Sequence, residues 1–237
     1  METAVIVGVK TLGRAIATHL GAAGWQVVCA ARTRADVDRA AAEVNAAGGQ
    51  GVGVVCDLGD RSSLDALVKG QPRVDLCIAA QTAGGRFGSR PLLEIDDGEL
   101  DHQYAGYLRA TWNLLKAVGP KMTAQGAGTF VQIGTSSGIR TKEGFAVLGA
   151  AQHGLRALVQ VAAREWRSQG VHVVYVPIDG PIDSEKTRDW LAKAGADRGI
   201  PQLAIARACE YLHRQDRHAW THELVLRPAA GDWTAPT

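Results

Sequence analysis

The chain has 237 residues, a formal net charge of +2, 46% hydrophobic residues and 21% charged ones. That length suffices for one large α/β domain with a real core, while 28 glycines without a repeat and only four cysteines exclude collagen-like, disordered and disulfide-scaffold classes. Every apolar run is broken too early to span a bilayer, and Met1-Glu2-Thr3 lacks the basic stretch of a secretion signal, so a soluble cytoplasmic protein with no membrane contact is expected.

Short β-branched runs alternate with helical patterns from end to end. Residues 4–7 predict a first strand, which runs directly into Gly8-Val9-Lys10-Thr11-Leu12-Gly13 and a helix over 13–23. A second strand over 26–30 ends Cys29-Ala30-Ala31-Arg32, and a helix over 35–47 stops at Gly48-Gly49. The third strand, 52–56, closes on Asp57-Leu58; Ser62 followed by Asp65 then gives a capping pattern for a helix over 62–68. Strands at 74–79, 129–133, 171–176 and 223–226 follow, separated by helices at 98–118, 145–168 and 202–213. Several strands are continuously apolar, as parallel strands covered on both faces are. Residues 183–200 read as a helical excursion over the sheet, placed where a substrate lid would lie. Seven strands threaded by helices, without linker or repeat, predict one doubly wound Rossmann-type α/β domain over residues 1–237.

The remaining compositional signals are bland. Cys29, Cys56 and Cys77 lie in strand-like runs and Cys209 in a helix-like one, with no C-x-x-C pair, which reads as buried reduced thiols. The basic stretch 207–218 is interrupted by Glu210 and Asp216, a solvated helix face and no nucleic-acid footprint. His102, His213, His218 and His222 share no metal-ligand spacing, so no metal is expected.

A strand, a glycine turn and a helix N-terminus together make an anion site, because free N–H groups and the helix dipole face the ligand. At the end of the second strand, where NAD-binding proteins place a carboxylate for the ribose 2′-hydroxyl, there is instead Arg32, with Lys10 in the neighbouring turn. Cations there suit a 2′-phosphate, so NADP is expected over NAD, with Asp57 placed to accept from the adenine amino group.

These stretches, taken with Val74-Asp75-Leu76-Cys77-Ile78, Thr129-Phe130-Val131-Gln132-Ile133, residues 171–181 and Trp220-Thr221-His222-Glu223-Leu224, resemble in order and spacing the short-chain dehydrogenase/reductase family over nearly the whole chain. The resemblance implies a nicotinamide cofactor held by Gly8, Lys10, Thr11, Leu12, Gly13, Arg32, Asp57, Leu58, Ala79 and Ala80, a small-molecule substrate, and a homodimer or homotetramer built on helices 98–118 and 145–168. The turn departs from the family pattern: it is one residue short, and Thr11 stands where a central glycine belongs, so a side chain can crowd the phosphates. A structural turn with no nucleotide is the alternative.

The family's chemistry implies a Tyr-x-x-x-Lys pair on one helix face, whose i, i+4 spacing lets the Lys tune the Tyr, with a Ser on the preceding strand end and an Asn one helix earlier. Anchored on Ile133 and the 145–168 helix, those positions fall on Leu148, Gln152, Thr135 and Tyr107, and only Thr135 keeps its hydroxyl. No register shift restores the pair, since no Tyr lies between Tyr107 and Tyr175 and no Lys between Lys142 and Lys186. The replacement candidates are the Tyr107 phenol and Asp179, whose partial burial would raise its pKa toward general-acid work. The bland alternatives are a core aromatic beside Trp112, a loop-capping carboxylate, and turn hydroxyls at Thr135 to Ser137. His153 points about 100° away from Gln152 around the helix. The loop 84–91, with Arg86, Phe87 and Arg90, and the excursion with Trp190 are expected to frame the pocket. Three functions are compatible: an atypical NADP-dependent reductase of an already activated imine or enone, a non-redox cyclase, isomerase or lyase, and a silent partner subunit.

Overall fold

In the computed structural model, which describes residues 1–84 and 89–231, six parallel strands form one sheet in the order β3-β2-β1-β4-β5-β6. The strands are β1 (Thr3–Val7), β2 (Gln26–Ala31), β3 (Gln50–Val55), β4 (Leu76–Ala79), β5 (Gly128–Thr135) and β6 (Val171–Ile178). The order reverses between β1 and β4, so the crevice beyond their carboxyl ends is the switch point. Adjacent residues feed opposite faces. Val5, Val28, Phe130 and Tyr175 pack with Leu114 and Leu155 on one side; Ile6, Val27, Val131 and Val174 pack with Ile16, Leu20 and Ile205 on the other. The expected seventh strand is reduced to two parallel bridges, Tyr175 with Glu223 and Ile178 with Leu226.

Helices α1 (Leu12–Ala22), α2 (Arg34–Ala46), α3 (Arg61–Lys69), α4 (Asp97–Gln103), α5 (Ala110–Gln125), α6 (Ala146–Trp166), α7 (Arg188–Ala194) and α8 (Gln202–Arg214) fill the connections. Three differences from the sequence expectation have physical reasons. The N-cap of α3 is Asp60, whose carboxylate accepts from Ser62 N–H at 2.9 Å, two residues before the Ser62 pattern. The 98–118 helix is α4 and α5 joined by one π-helical turn, Tyr104–Arg109. It also runs past Gly119-Pro120 to Gln125 and stops at the left-handed Gly126 (φ 68°); Arg61 Nη2 donates at 3.0 Å to the Lys116 carbonyl that Pro120 leaves without its helical N–H. In the 183–200 excursion only α7 and a short 3-10 turn are helical, and its base is pinned by Asp183 N–H to Ile200 O (2.9 Å) and Ile200 N–H to Pro181 O (2.8 Å).

All four cysteines are buried thiols, and burial pushes Cys29 and Cys209 up to about 12, so they are inert at neutral pH. Among the described residues no helix is long and apolar enough to cross a membrane.

Candidate functional site

The ends of β1, β2 and β4 meet at Gly8. Its N–H donates to Ala30 O and Ala80 N–H donates to Val7 O, both at 2.9 Å. At φ +88° a Cβ on Gly8 would stand 2.7 Å from the Ala80 carbonyl, so only glycine allows this approach. Gly13 is similarly confined, its Cβ position lying 2.5 Å from Gly8 O. The turn therefore holds α1 tight under the strand ends. Thr11 is the N-cap of α1 but its side chain makes no capping bond, and the first turn carries no acid. The positive helix end is left open to an anion. Lys10 and Arg32 are exposed and have no partner among the described residues, whereas Arg14 pairs with Glu43 at 2.7 Å. Asp57 is exposed, with Oδ1 accepting from Gly59 N–H at 2.9 Å, and Asn113 Nδ2 fixes the loop through Leu58 O at 2.9 Å. Ala79 is buried and Ala80 half-buried beside Gly8. These groups fit a dinucleotide bearing phosphates: an uncapped helix start, no competing acid, and two free cations at the β1 and β2 ends.

The residues expected to face a substrate lie across β5 and β6. Thr135 is half-buried, and its Oγ1 accepts from Ser137 N–H at 3.2 Å, the turn role foreseen as the bland alternative, with its own proton still available to a ligand. Leu148 is half-buried in the first turn of α6. One turn on, Gln152 is wholly buried. Its Oε1 accepts from Thr135 N–H at 3.2 Å and from the Tyr175 hydroxyl at 3.5 Å, while its Nε2 is buried without a partner. His153 is exposed and bonds within its own helix, Nδ1 to Gly149 O at 3.0 Å.

Tyr175 was not singled out by sequence reasoning. Its phenol is fully buried, burial pushes its pKa up, and its hydroxyl also lies 3.4 Å from Thr135 O. The trace it leaves in the sequence is the glycine pair flanking the turn: a Cβ at Gly134 would fall 2.3 Å from the Tyr175 ring, and one at Gly138 2.1 Å from its oxygen.

Tyr107 sits in the π-helical turn, buried in the core cluster at 4% exposure. Burial raises its pKa, partly offset by a backbone hydrogen bond from Ala83, so the phenol stays protonated. Trp112, expected beside it in the core, is instead half-exposed. A buried amide chain runs beneath the β4 and β5 ends: Gln81 Nε2 to Thr111 Oγ1 (3.2 Å), Thr111 to Gln132 Oε1 (3.1 Å), and Gln132 Nε2 to Ala79 O (3.3 Å).

For Asp179 the structure reverses the expected pKa. Burial does raise it, but Arg140 and Arg227 outweigh that, holding the carboxyl below its usual range. Arg140 Nη2 donates at 2.7 Å and Arg227 Nε at 2.5 Å. Asp179 is thus an ionised clamp rather than a proton donor. Neither arginine was anticipated, since nothing in the linear sequence joins residues 140, 179 and 227. A cavity of about 280 Å³ opens nearby, lined by Ile200, Pro201, Leu226 and Arg227 among others. Trp190 is half-exposed on α7. Arg86 and Phe87 lie outside the described residues; Arg90 pairs with Glu99. No group of metal-ligating side chains occurs among the described residues.

Residues 2–194 match the family model described as short chain dehydrogenase. A fatty acyl-CoA reductase of Mycobacterium tuberculosis is 28% identical over 211 residues, covering 85% of this chain and 68% of that protein. A short-chain dehydrogenase from Rhodopseudomonas palustris superposes with a TM-score of 0.81 at 26% identity, over 96% of this chain and 98% of the other. A metagenomic short-chain oxidoreductase, solved in complex with NADP, gives 0.79 at 27%, over 97% and 98%. The alignments span 54–68% of the length of several curated relatives.

Proposed function

This chain belongs to the short-chain dehydrogenase family, and on that premise we propose that it is an NADP(H)-dependent reductase of a small molecule that arrives already activated, an imine or a conjugated enone, without a Tyr–Lys proton relay. The observation that carries the reading is the i, i+4 pair on α6: Leu148 is aliphatic, and Gln152 is a wholly buried amide whose acceptor is engaged by Thr135 and Tyr175. Neither side chain ionises. A substrate whose electrophile is already polarised needs no tuned phenol.

Lys10 and Arg32 would meet the 2′-phosphate, the first-turn amides of α1 with Thr11, Leu12 and Gly13 the pyrophosphate, and Asp57 the adenine amino group, with Leu58, Ala79 and Ala80 flanking. NADPH bound there supplies the hydride. The Thr135 hydroxyl orients the substrate heteroatom, and Tyr107, kept neutral by burial, is the replacement donor. We also assign subunit contacts of a homodimer or homotetramer to α4–α5 and α6, where Leu100, Tyr104, Trp112 and Val161 are exposed. The test is NADPH oxidation with 1-pyrroline, 2-cyclohexen-1-one and cyclohexanone. Turnover is expected with one of the first two and not with the saturated ketone; brisk reduction of cyclohexanone overturns the reading.

A further inference from the structure

At the carboxyl ends of β5 and β6, Arg140 and Arg227 converge on Asp179 and engage both its oxygens. The three side chains are only 13%, 6% and 8% exposed. A guanidinium has five N–H donors, and Arg140 uses Nη2 on Asp179 while its Nε is buried with no partner. Two carbonyls of the turn are already engaged: Ser136 O takes Ile139 N–H and Arg140 N–H, both at 2.9 Å, and Gly138 O takes Arg156 Nη1 at 3.2 Å. A buried cation with idle donors is costly unless an acceptor arrives.

The idle donors also lie in a telling place. Thr135 pairs with Ile178 across the β5–β6 ladder, and Asp179 is the next residue, so Arg140, through its bond to Asp179, is tied to the same end of the strand pair that carries the hydroxyl assigned to the substrate. β5 and β6 stand two and three places from β1 in the sheet, about 10–15 Å from the glycine turn, too far for the cofactor phosphates to be the acceptor. We propose that Arg140 is a specificity-determining residue that binds a carboxylate carried by the substrate. A planar carboxylate matches the fork left by Nε and the remaining Nη protons. The inference rests on the reductase reading for its placement of the substrate.

The test compares matched acid and amide probes, trans-cinnamate with cinnamamide and benzoate with benzamide, by titration calorimetry with and without NADPH. One acid is expected to bind roughly tenfold or more tightly than its amide, and Arg140→Gln to abolish that preference while leaving NADPH affinity within about twofold. Equal binding of acid and amide, no binding of either acid, or an acid preference that survives Arg140→Gln overturns the proposal. Should Arg140→Gln fail to fold, Arg140→Lys, which keeps the charge but loses the fork, is expected to lose most of the preference, and the comparison on the native protein stands alone. Failure of NADPH to bind counts against the reductase reading and leaves the acid–amide comparison readable without cofactor.

Discussion

The Tyr175 hydroxyl lies 3.5 Å from Gln152 Oε1 and 3.4 Å from the Thr135 carbonyl, so a phenol from β6 props both α6 and the turn that follows β5. The glycines around that turn exist to admit it. Gly138→Ala would put its Cβ 2.1 Å from the Tyr175 oxygen but 3.2 Å from the ring carbon behind it; Gly134→Ala would meet ring carbons at 2.3 and 2.5 Å as well. Each alanine should cost about 1–3 kcal/mol by overpacking. Adding Tyr175→Phe should rescue Gly138→Ala, by removing the atom it strikes, and leave Gly134→Ala unrescued. Urea unfolding of the two double variants reads the difference, and equal rescue of both would mean the phenol is not seated under the turn.

The same geometry bears on whether ordinary ketone chemistry can be restored. Gln152 is wanted as an acceptor, since Thr135 N–H and the Tyr175 hydroxyl both point at it. A lysine there brings only donors into a site with no exposure. Gln152→Lys should therefore destabilise by about 2–4 kcal/mol, and Leu148→Tyr with Gln152→Lys should gain no cyclohexanone reduction. Thermal unfolding and NADPH oxidation check both; a stable double variant that reduces ketones would show that Tyr175 yields its place.

Pro120 and Arg61 form a compensating pair. Proline in α5 strips the Lys116 carbonyl of its helical partner, and Arg61 Nη2 supplies the missing donor at 3.0 Å. Arg61→Met should cost about 1 kcal/mol in the native background. With Pro120→Ala, which restores the backbone N–H, the same substitution should cost a few tenths at most beyond loss of the exposed Arg61–Asp65 pair. A double-mutant cycle by chemical denaturation reads this coupling; strict additivity would sink it.

How much of this was legible in the sequence follows from the range of each interaction. The strands at Val5 and Val174 declared themselves because parallel strands buried on both faces are continuously apolar. The doubly wound class followed from their alternation with helices. Helix ends at Asp60 and Gln125 were misplaced: the Asp60 carboxylate, accepting from Ser62 N–H, decides the first, and Gly126, left-handed at φ 68°, the second, beyond a proline whose orphaned Lys116 carbonyl is met by the distant Arg61. The glycine turn could be read by spacing, and spacing is also what assigns Tyr107, Thr135, Leu148 and Gln152 to the four catalytic positions. What could not be read was the filling of the altered pocket. Tyr175 reaches Gln152 across 23 residues, and Asp179 meets partners 39 and 48 residues away in opposite directions. Local burial alone suggested a raised pKa for Asp179, and two distant cations reversed its sign.

That reversal has a pH consequence. Because the folded pKa of Asp179 lies below its unfolded value, the ionised form is favoured in the native state. The stabilisation is present above the unfolded value, near 4, and is lost as pH falls through the folded pKa. Glu2 and Glu223, also lowered, act in the same direction, so the native protein should lose stability progressively below about pH 4. Asp179→Asn should cost about 3–5 kcal/mol at pH 7, because two largely buried guanidiniums lose their shared anion. Its stability should also fall less steeply between pH 5 and pH 3 than that of the native protein. Calorimetric unfolding across that range checks the slope, and parallel curves would remove Asp179 from the account.

Arg32 offers the cleanest separation of the two nicotinamide cofactors. It is exposed at the end of β2 and, like Lys10 in the adjoining turn, has no partner among the described residues, so its charge is free to meet a 2′-phosphate. Its neighbour Arg34 pairs with Asp38 at 3.5 Å on an exposed helix face and does not compete. Removing one charge-assisted contact to a phosphate should weaken NADPH roughly tenfold to a hundredfold. NADH lacks that phosphate, so its affinity should change by no more than about twofold. The NADPH loss should also shrink at high salt, since an exposed pair is screened there. Titration of tryptophan fluorescence, with six tryptophans available, measures both cofactors on Arg32→Ala. Equal losses for the two would mean that Arg32 acts on the turn itself and not on the phosphate.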